Sequence, residues 1–230
     1  MNKPLPTLIC IIMFTMFSFC VSAQETKTIS TKRTIPDYTI SEKYSVLKGN
    51  PNIKQGPYSA SISSYNEKGQ FEQGVKSGIW ECFKNGKLVQ KYDFSSQSFL
   101  LGAETIMIKD LEQLDEKGNV IKKLNPVSVY LGGDDKILSI MVKSVRYPSD
   151  AAQHNIQGRV LIEAVINKDG KVLTERAVTN VGYGLEQEAL RVFRSLPPDW
   201  VPTFVDGKAV DVKITMNMTF TLSHLPPLKD

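Results

Sequence analysis

From Ala209 to Leu222 apolar and polar residues alternate without a break. Val210, Val212, Ile214, Met216, Met218, Phe220 and Leu222 fall on one face, and Asp211, Lys213, Thr215, Asn217, Thr219 and Thr221 on the other. This is the period of a strand with one side in a core and the other in water. Upstream, Val160, Ile162, Ala164 and Ile166 share a face of a second strand, Arg159 to Ile166. The loop Asn167-Lys168-Asp169-Gly170 reverses the chain into a third, Lys171 to Thr179, with Gly170 suited to the left-handed position such a turn needs. Leu185, Ala189, Val192, Phe193 and Leu196 then recur at helical spacing, and Pro197-Pro198 stops that helix. Trp200 and Pro202 follow in a loop, with Trp200 expected to plug the end of the sheet, and Asp206-Gly207 turns into the last strand. Ile137, Leu138, Ile140, Met141 and Val145 predict another helix over Asp135 to Val145, opening a final domain at 135–225.

The pattern before residue 100 is different. Between Tyr44 and Phe94 glycines recur beside aromatic residues: Gly56-Pro57-Tyr58, Asn66-Glu67-Lys68-Gly69, Gly78-Ile79-Trp80 and Lys84-Asn85-Gly86-Lys87. The spacing from Gly56 to Gly78 equals that from Tyr58 to Trp80, which points to two copies of one hairpin unit. The second and fourth groups read as tight turns, where Gly supplies positive φ. Residues 44–100 are therefore expected to be rich in hairpins, which need one another's apolar faces to be stable in water. Residues 101–134 read as a connecting segment. It holds a strand over Glu104 to Lys109, a turn at Asp115-Glu116-Lys117-Gly118-Asn119 and a short strand from Pro126 to Leu131. Residues 24–43, polar at first and rich in Thr and Lys, read as a flexible leader.

Lys3, an apolar run from Leu8 to Val21 and then Val21-Ser22-Ala23 read as a signal peptide over residues 1–23. The run is short against the about 20 residues of a membrane span, so an exported, periplasmic protein is the main expectation, and an inner-membrane anchor facing the periplasm the alternative. Membrane association is expected only if that segment stays uncleaved. With 41% hydrophobic and 23% charged residues the rest is ordinary globular material. A formal net charge of +4, of which cleavage would remove only Lys3, is too weak to argue for nucleic acid. Cys10 and Cys20 leave with the signal, so Cys82 is alone and no internal disulfide can form.

Catalytic and metal chemistry find little to build on. The two histidines, His154 and His224, lie far apart in sequence without Cys or carboxylates at ligand spacing. No His is near Cys82 to activate it, and a buried apolar role is expected. Gly132-Gly133 and Gly182-x-Gly184 are too short for a phosphate cradle and read as turns. Glu186 and Glu188 with Arg191 and Arg194 read as charge pairs on a helix surface. The expectation is a non-enzymatic protein with no cofactor, no catalytic residue and no metal site.

Tyr147-Pro148, Gly158-x-Val160, Asp169-Gly170-x-Val172, Glu188-Ala189-Leu190, Trp200-x-Pro202 and Gly207-Lys208 ahead of the last strand closely resemble the C-terminal domain of the TonB family of energy transducers. The hairpin region more loosely resembles MORN-like repeats, through Gly-x-Trp, Phe83 and Asn-Gly-Lys-Leu. A plain β-meander fits it equally well. The TonB resemblance implies an α+β fold, a C-terminal three-stranded antiparallel sheet backed by helices, preceded here by the hairpin-rich region. It further implies that a protein partner, an extended segment of an outer-membrane receptor, adds to the edge of the last strand in the course of transport across the outer membrane. Carried onto this chain, partner-binding positions are Lys213, Ile214, Thr215, Met216, Asn217, Met218 and Thr219, with Ser144, Val145, Arg146 and Tyr147 close by. Residues 1–23 lack the His of energised family members, and the Pro-rich spacer is missing, which puts coupling to a proton-driven motor in doubt. The alternative is a structural or docking module that works through the hairpin region without energy transduction, with self-association as a further possibility. The two readings differ on one point, whether the last strand keeps a free edge.

Overall fold

A computed structural model describes residues 25–35 and 38–222. The signal peptide expected at residues 1–23, and His224, lie outside them. Seven strands come first: β1 (Thr26–Ile35), β2 (Tyr38–Leu47), β3 (Asn50–Ile62), β4 (Tyr65–Glu72), β5 (Val75–Lys84), β6 (Lys87–Asp93) and β7 (Ser98–Leu101). They form one antiparallel sheet in sequence order, the simplest meander. The chain continues with β8 (Ile108–Leu114), β9 (Val120–Leu124), α1 (Gly133–Ser144), α2 (Ser149–Gln153), β10 (Gly158–Ile166), β11 (Val172–Ala177) and α3 (Leu185–Ser195). The short hairpin β12 (Thr203–Val205) and β13 (Lys208–Val210) precedes β14 (Val212–Phe220). A second sheet has the order β11-β10-β14-β8-β9.

The fold is thus α+β with two large sheets, and the expected three-stranded C-terminal sheet is in fact five-stranded. The connecting segment supplies the extra two strands. Its first arm escaped notice because Ile108, Leu111 and Leu114, the buried residues of β8, come every third position. A register shift opposite Thr215/Met216, with Lys109 as the extra residue, bends the strand and breaks the period of 2 that alternation requires. The strand expected at Glu104 to Lys109 begins only at Ile108, and Pro126 to Leu131 contributes a single bridge, Tyr130 to Trp200, instead of a strand.

The leader is a second correction. Thr26–Ile35 pairs with β2 in unbroken register, from Thr26 opposite Leu47 to Ile35 opposite Tyr38. The Thr and Ile residues that make the segment look polar and unpatterned are β-branched and favour extended backbone. A third correction concerns Asn66 to Gly69, which lies inside β4 rather than at a turn. Gly69 is there for space. A Cβ on it would stand 2.3 Å from Cδ2 of Trp80, whose indole lies against the strand. The reversal at Asn85-Gly86 is a tight turn as expected, with φ of 50° and 79°.

Two apolar cores join the parts. Tyr58, Phe71, Trp80, Tyr92, Phe94 and Phe99 pack together on the meander, Tyr58 and Trp80 with ring centroids 5.2 Å apart, and Leu131 and Val201 are buried among them. In the larger core, Tyr38, Ile40 and Ile62 of the meander pack with the helices and the inner face of the second sheet. Polar groups seal the junction. Lys136 of α1 is fully buried; its ammonium meets the Glu67 carboxylate of β4 and lies 2.8 Å from Asp199 Oδ2, while Lys76 of β5 lies 3.0 Å from Asp199 Oδ1. The buried Gln90 amide donates to the carbonyls of Gly102 (3.0 Å) and Tyr130 (3.3 Å) and accepts from Gly132 N–H (2.6 Å).

Burial works to raise the Asp199 carboxyl, but the ammonium groups of Lys136 and Lys76 outweigh it and hold it well below the usual carboxylate range. A depressed folded value means the contribution is complete above the unfolded pKa of about 3.9 and is lost as pH falls through the folded one. Stability should therefore decline below about pH 4, and Asp199→Asn should flatten that acid limb in urea titrations at several pH values. At pH 7, Lys136→Met should cost about 3–5 kcal/mol, because it leaves Glu67 buried without its cation. A urea midpoint unchanged from the parent would refute that reading of the cluster.

Candidate strand-docking site

β14 is built as its alternation requires. Val212, Ile214, Met216, Met218 and Phe220 are buried against the helices, and the residues between them face outward. Its backbone has two sides. On one, β10 pairs along the whole length, from Gly158 opposite Phe220 to Ile166 opposite Val212. On the other, β8 covers Val212 to Met216, with Lys213 opposite Glu112, Ile214 opposite Leu111, Thr215 opposite Asp110 and Met216 opposite Ile108. Lys213, Ile214, Thr215 and Met216 therefore sit in an interior strand, and the free edge expected there is filled by the protein's own chain. Asn217, Met218 and Thr219 lie past the end of β8 and pair with β10 alone among the described strands.

Asp134 explains why β8 stops where it does. From the first turn of α1 its carboxylate accepts from Thr105 Oγ1 (2.7 Å), Met107 N (2.9 Å) and Ile106 N, pulling the chain before Ile108 toward the helix. Sequence reasoning missed this residue, since an acid in a first helical turn is common for dipole reasons alone.

The other predicted positions follow at the far end of α1. Ser144 is buried, and its carbonyl accepts from Arg191 Nη2. Val145 is exposed, and Arg146 N donates to Glu188 Oε1 at 2.6 Å. Tyr147 Oη donates to the Ile156 carbonyl at 2.6 Å, and its ring packs edge-on against Phe220 at 5.9 Å. α1 is tethered near Met216 through Asp134 and near Phe220 through Tyr147. The structure thus brings Tyr147 beside the uncovered end of β14, whereas Ser144 is spent on packing. Leu138 and Val142 of α1 and Val145, the extended residue just after it, are apolar and 50%, 66% and 37% exposed among the described residues.

Residues 143–222 match the sequence model of the family described as Gram-negative bacterial TonB protein C-terminal. No curated protein and no solved structure was found to match the chain. The match spans α2, α3 and β10 to β14, and it leaves out β8 and β9. The hairpin that lies along the last strand of the matched segment thus comes from outside the match. No helix among the described residues is long and apolar enough to cross a membrane.

The remaining chemistry-bearing groups are held in structural roles. Among the described residues no cluster of His, Cys, Asp or Glu gathers in a geometry that could hold a metal ion. His154 Nδ1 lies 2.8 Å from the Asp150 carbonyl, and its ring packs on Tyr183. Glu186 accepts from Gly182 N at 3.1 Å and so holds the loop ahead of α3, while Glu188 pairs with Arg191 and Arg194 with Glu175. Trp200 is buried between Tyr130 (4.9 Å) and Phe193 (5.5 Å). Cys82 is buried in the aromatic core, and that burial, with the nearby Asp199 charge, pushes its thiol up to about 12. The native protein should resist a thiol reagent at pH 8 and react fully once unfolded in urea; native reactivity matching a free thiol would contradict the buried assignment.

Proposed function

We propose that this is a non-enzymatic, periplasm-facing protein of TonB type that holds an extended segment of a protein partner, of the outer-membrane receptor kind, by strand addition. The docking place is the uncovered end of β14, Asn217 to Thr219, with Tyr147 beside it through its contact with Phe220, and the exposed apolar residues Leu138, Val142 and Val145 are proposed to take the partner's side chains. The observation that carries this reading is the unequal pairing of β14, filled along its length by β10 and only to Met216 by β8. The TonB C-terminal match supports a role in protein contact and transport.

Magnitudes shape the mechanism. In an antiparallel ladder only alternate residues point to a given side, each with its N–H and C=O, so Asn217 and Thr219 offer up to about four outward hydrogen bonds. At roughly 1 kcal/mol each these fall short of the several kcal/mol lost on association. Side-chain burial has to supply the rest, at about 25 cal/mol per Å² of apolar surface, and Leu138, Val142 and Val145 are the place for it. Such a grip is reversible and tolerates varied partner sequences.

A second reading has its own observation. β8 fills the first half of the edge and brings Ile108, Leu111 and Leu114, all buried, which favours a docking module that uses the seven-stranded sheet as its surface and transduces no energy. Titration with peptides from receptor N-termini separates the two. The first predicts amide shifts at Asn217 to Thr219 and on Val142 and Val145, with affinity weakened several-fold by Val142→Asp. Shifts confined to the meander support the second and remove the first.

A further inference from the structure

Across the solvent face of the second sheet, charge changes sign from strand to strand. Arg176 of β11 is followed by Glu163 of β10, Lys213 of β14, Glu112 of β8 and Lys123 of β9. Arg176 Nε lies 3.0 Å from Glu163 Oε2, and Lys213 Nζ lies 3.9 Å from Glu163 Oε1 and 2.8 Å from Glu112 Oε2. Lys123 Nζ lies 2.6 Å from Asp110 Oδ1, also on β8. Both ends of the row are cations, 73% and 68% exposed, and both sit on strands that pair on one side only among the described residues. A further strand at either edge continues the alternation if it brings a carboxylate.

The two edges are not equally available. β9 is five residues long, sets Lys122 beside Lys123 and meets β8 through a register shift, all features that keep other chains off an edge. β11 pairs evenly with β10 from Ala177 opposite Ile162 to Thr174 opposite Val165, and its one register shift, at Leu173, lies near the start of the strand. Val178 N donates inward to the Leu161 carbonyl, so by alternation the backbone groups of Glu175 and Ala177 point outward. Leu173 and Val178 leave apolar surface exposed along the same edge. Beside it lies a cleft of about 1050 Å³. Val172 and Glu175 of β11 line it together with Phe193, Trp200 and Phe204, and Phe71 closes it from the meander.

We propose that the β11 edge and this cleft together bind an extended acidic segment of another protein. A carboxylate on the segment's solvent side opposes Arg176, and a bulky apolar side chain on its helix side enters the cleft. A second copy of this chain fits less well. The one carboxylate of β11, Glu175, points to the helix side, where it already holds Arg194 at 2.7 Å, so a copy brings nothing to Arg176. This surface is separate from the end of β14, and the two stand or fall independently.

The test uses the whole protein and two dye-labelled eight-residue peptides, one alternating valine with glutamate and the other valine with lysine, each ending in tryptophan. The glutamate peptide should bind about fivefold or more tightly than the lysine peptide, as expected for an opposite-charge cross-strand pair. Amide shifts should fall on Leu173 to Ala177, Arg176→Glu should reverse the preference, and Phe204→Ala should weaken the glutamate peptide. Arg176 is exposed, so its replacement leaves the fold intact, which circular dichroism checks. Equal binding of the two peptides, no binding of either, or shifts confined to β9 or β14 overturn the proposal. So does a concentration-dependent dimer in sedimentation that Arg176→Glu abolishes.

Discussion

One buried charge cluster fixes how the two sheets meet. Lys136 reaches from α1 to Glu67 in the meander, and Asp199, which follows the α3 helix, takes both Lys136 and Lys76. Four charges from four separate parts of the chain are mutually neutralised in a place nearly closed to water. Such a cluster adds little net stability compared with apolar residues of equal size, because taking ions out of water is costly. Its effect is on geometry, since any sliding of the meander against α1 leaves a carboxylate or an ammonium without its counterpart. Gln90 acts in the same way with neutral groups, tying β6 to the carbonyls of Gly102 and Tyr130. Tyr38 Oη adds a third link, donating to the Ser195 carbonyl at the end of α3.

With the halves locked, the β8–β9 hairpin decides what the last strand can do. It carries three buried apolar residues into the core and extends the sheet by two strands. Most of β14 thereby becomes interior, and the edge is passed outward to β9, where neighbouring lysines guard it. What remains uncovered at Asn217 to Thr219 is set by Asp134, which draws residues 105–107 away toward α1. The length of open edge therefore depends on one carboxylate rather than on β14 itself.

The C-terminal elements were legible because their signals are local. Strict alternation in β14, the Asn-Lys-Asp-Gly reversal and the stripe Leu185, Ala189, Val192, Phe193 each lie within a short window, and α1 and Gly170 came out as the pattern implied. The neighbour of β14 was hidden because pairing is not local: β8 precedes it by some hundred residues, and a bulge blurred the β8 pattern. Gly69 misled for a related reason, as it leaves room for the Trp80 ring on the next strand, a contact that no window around Gly69 contains. In the candidate site, the motif named Tyr147, whose ring packs against Phe220 at the end of β14. Asp134 and the exposed Leu138 and Val142 were not seen as part of it, because their meaning depends on which strand the helix lies along.

The order of strands has a kinetic side. Each strand of the meander pairs with the next in sequence, so that sheet can zip up from short loops as the chain emerges. β8 cannot finish pairing until β14, near the C-terminus, has arrived. Until then Ile108, Leu111 and Leu114 are on a hairpin with nothing to lie against, and the nascent molecule carries a sticky ribbon flanked by completed structure. The last nine-residue strand is thus the latch that turns a vulnerable intermediate into a closed sheet, and a chain truncated before Val212 loses its means of hiding that ribbon.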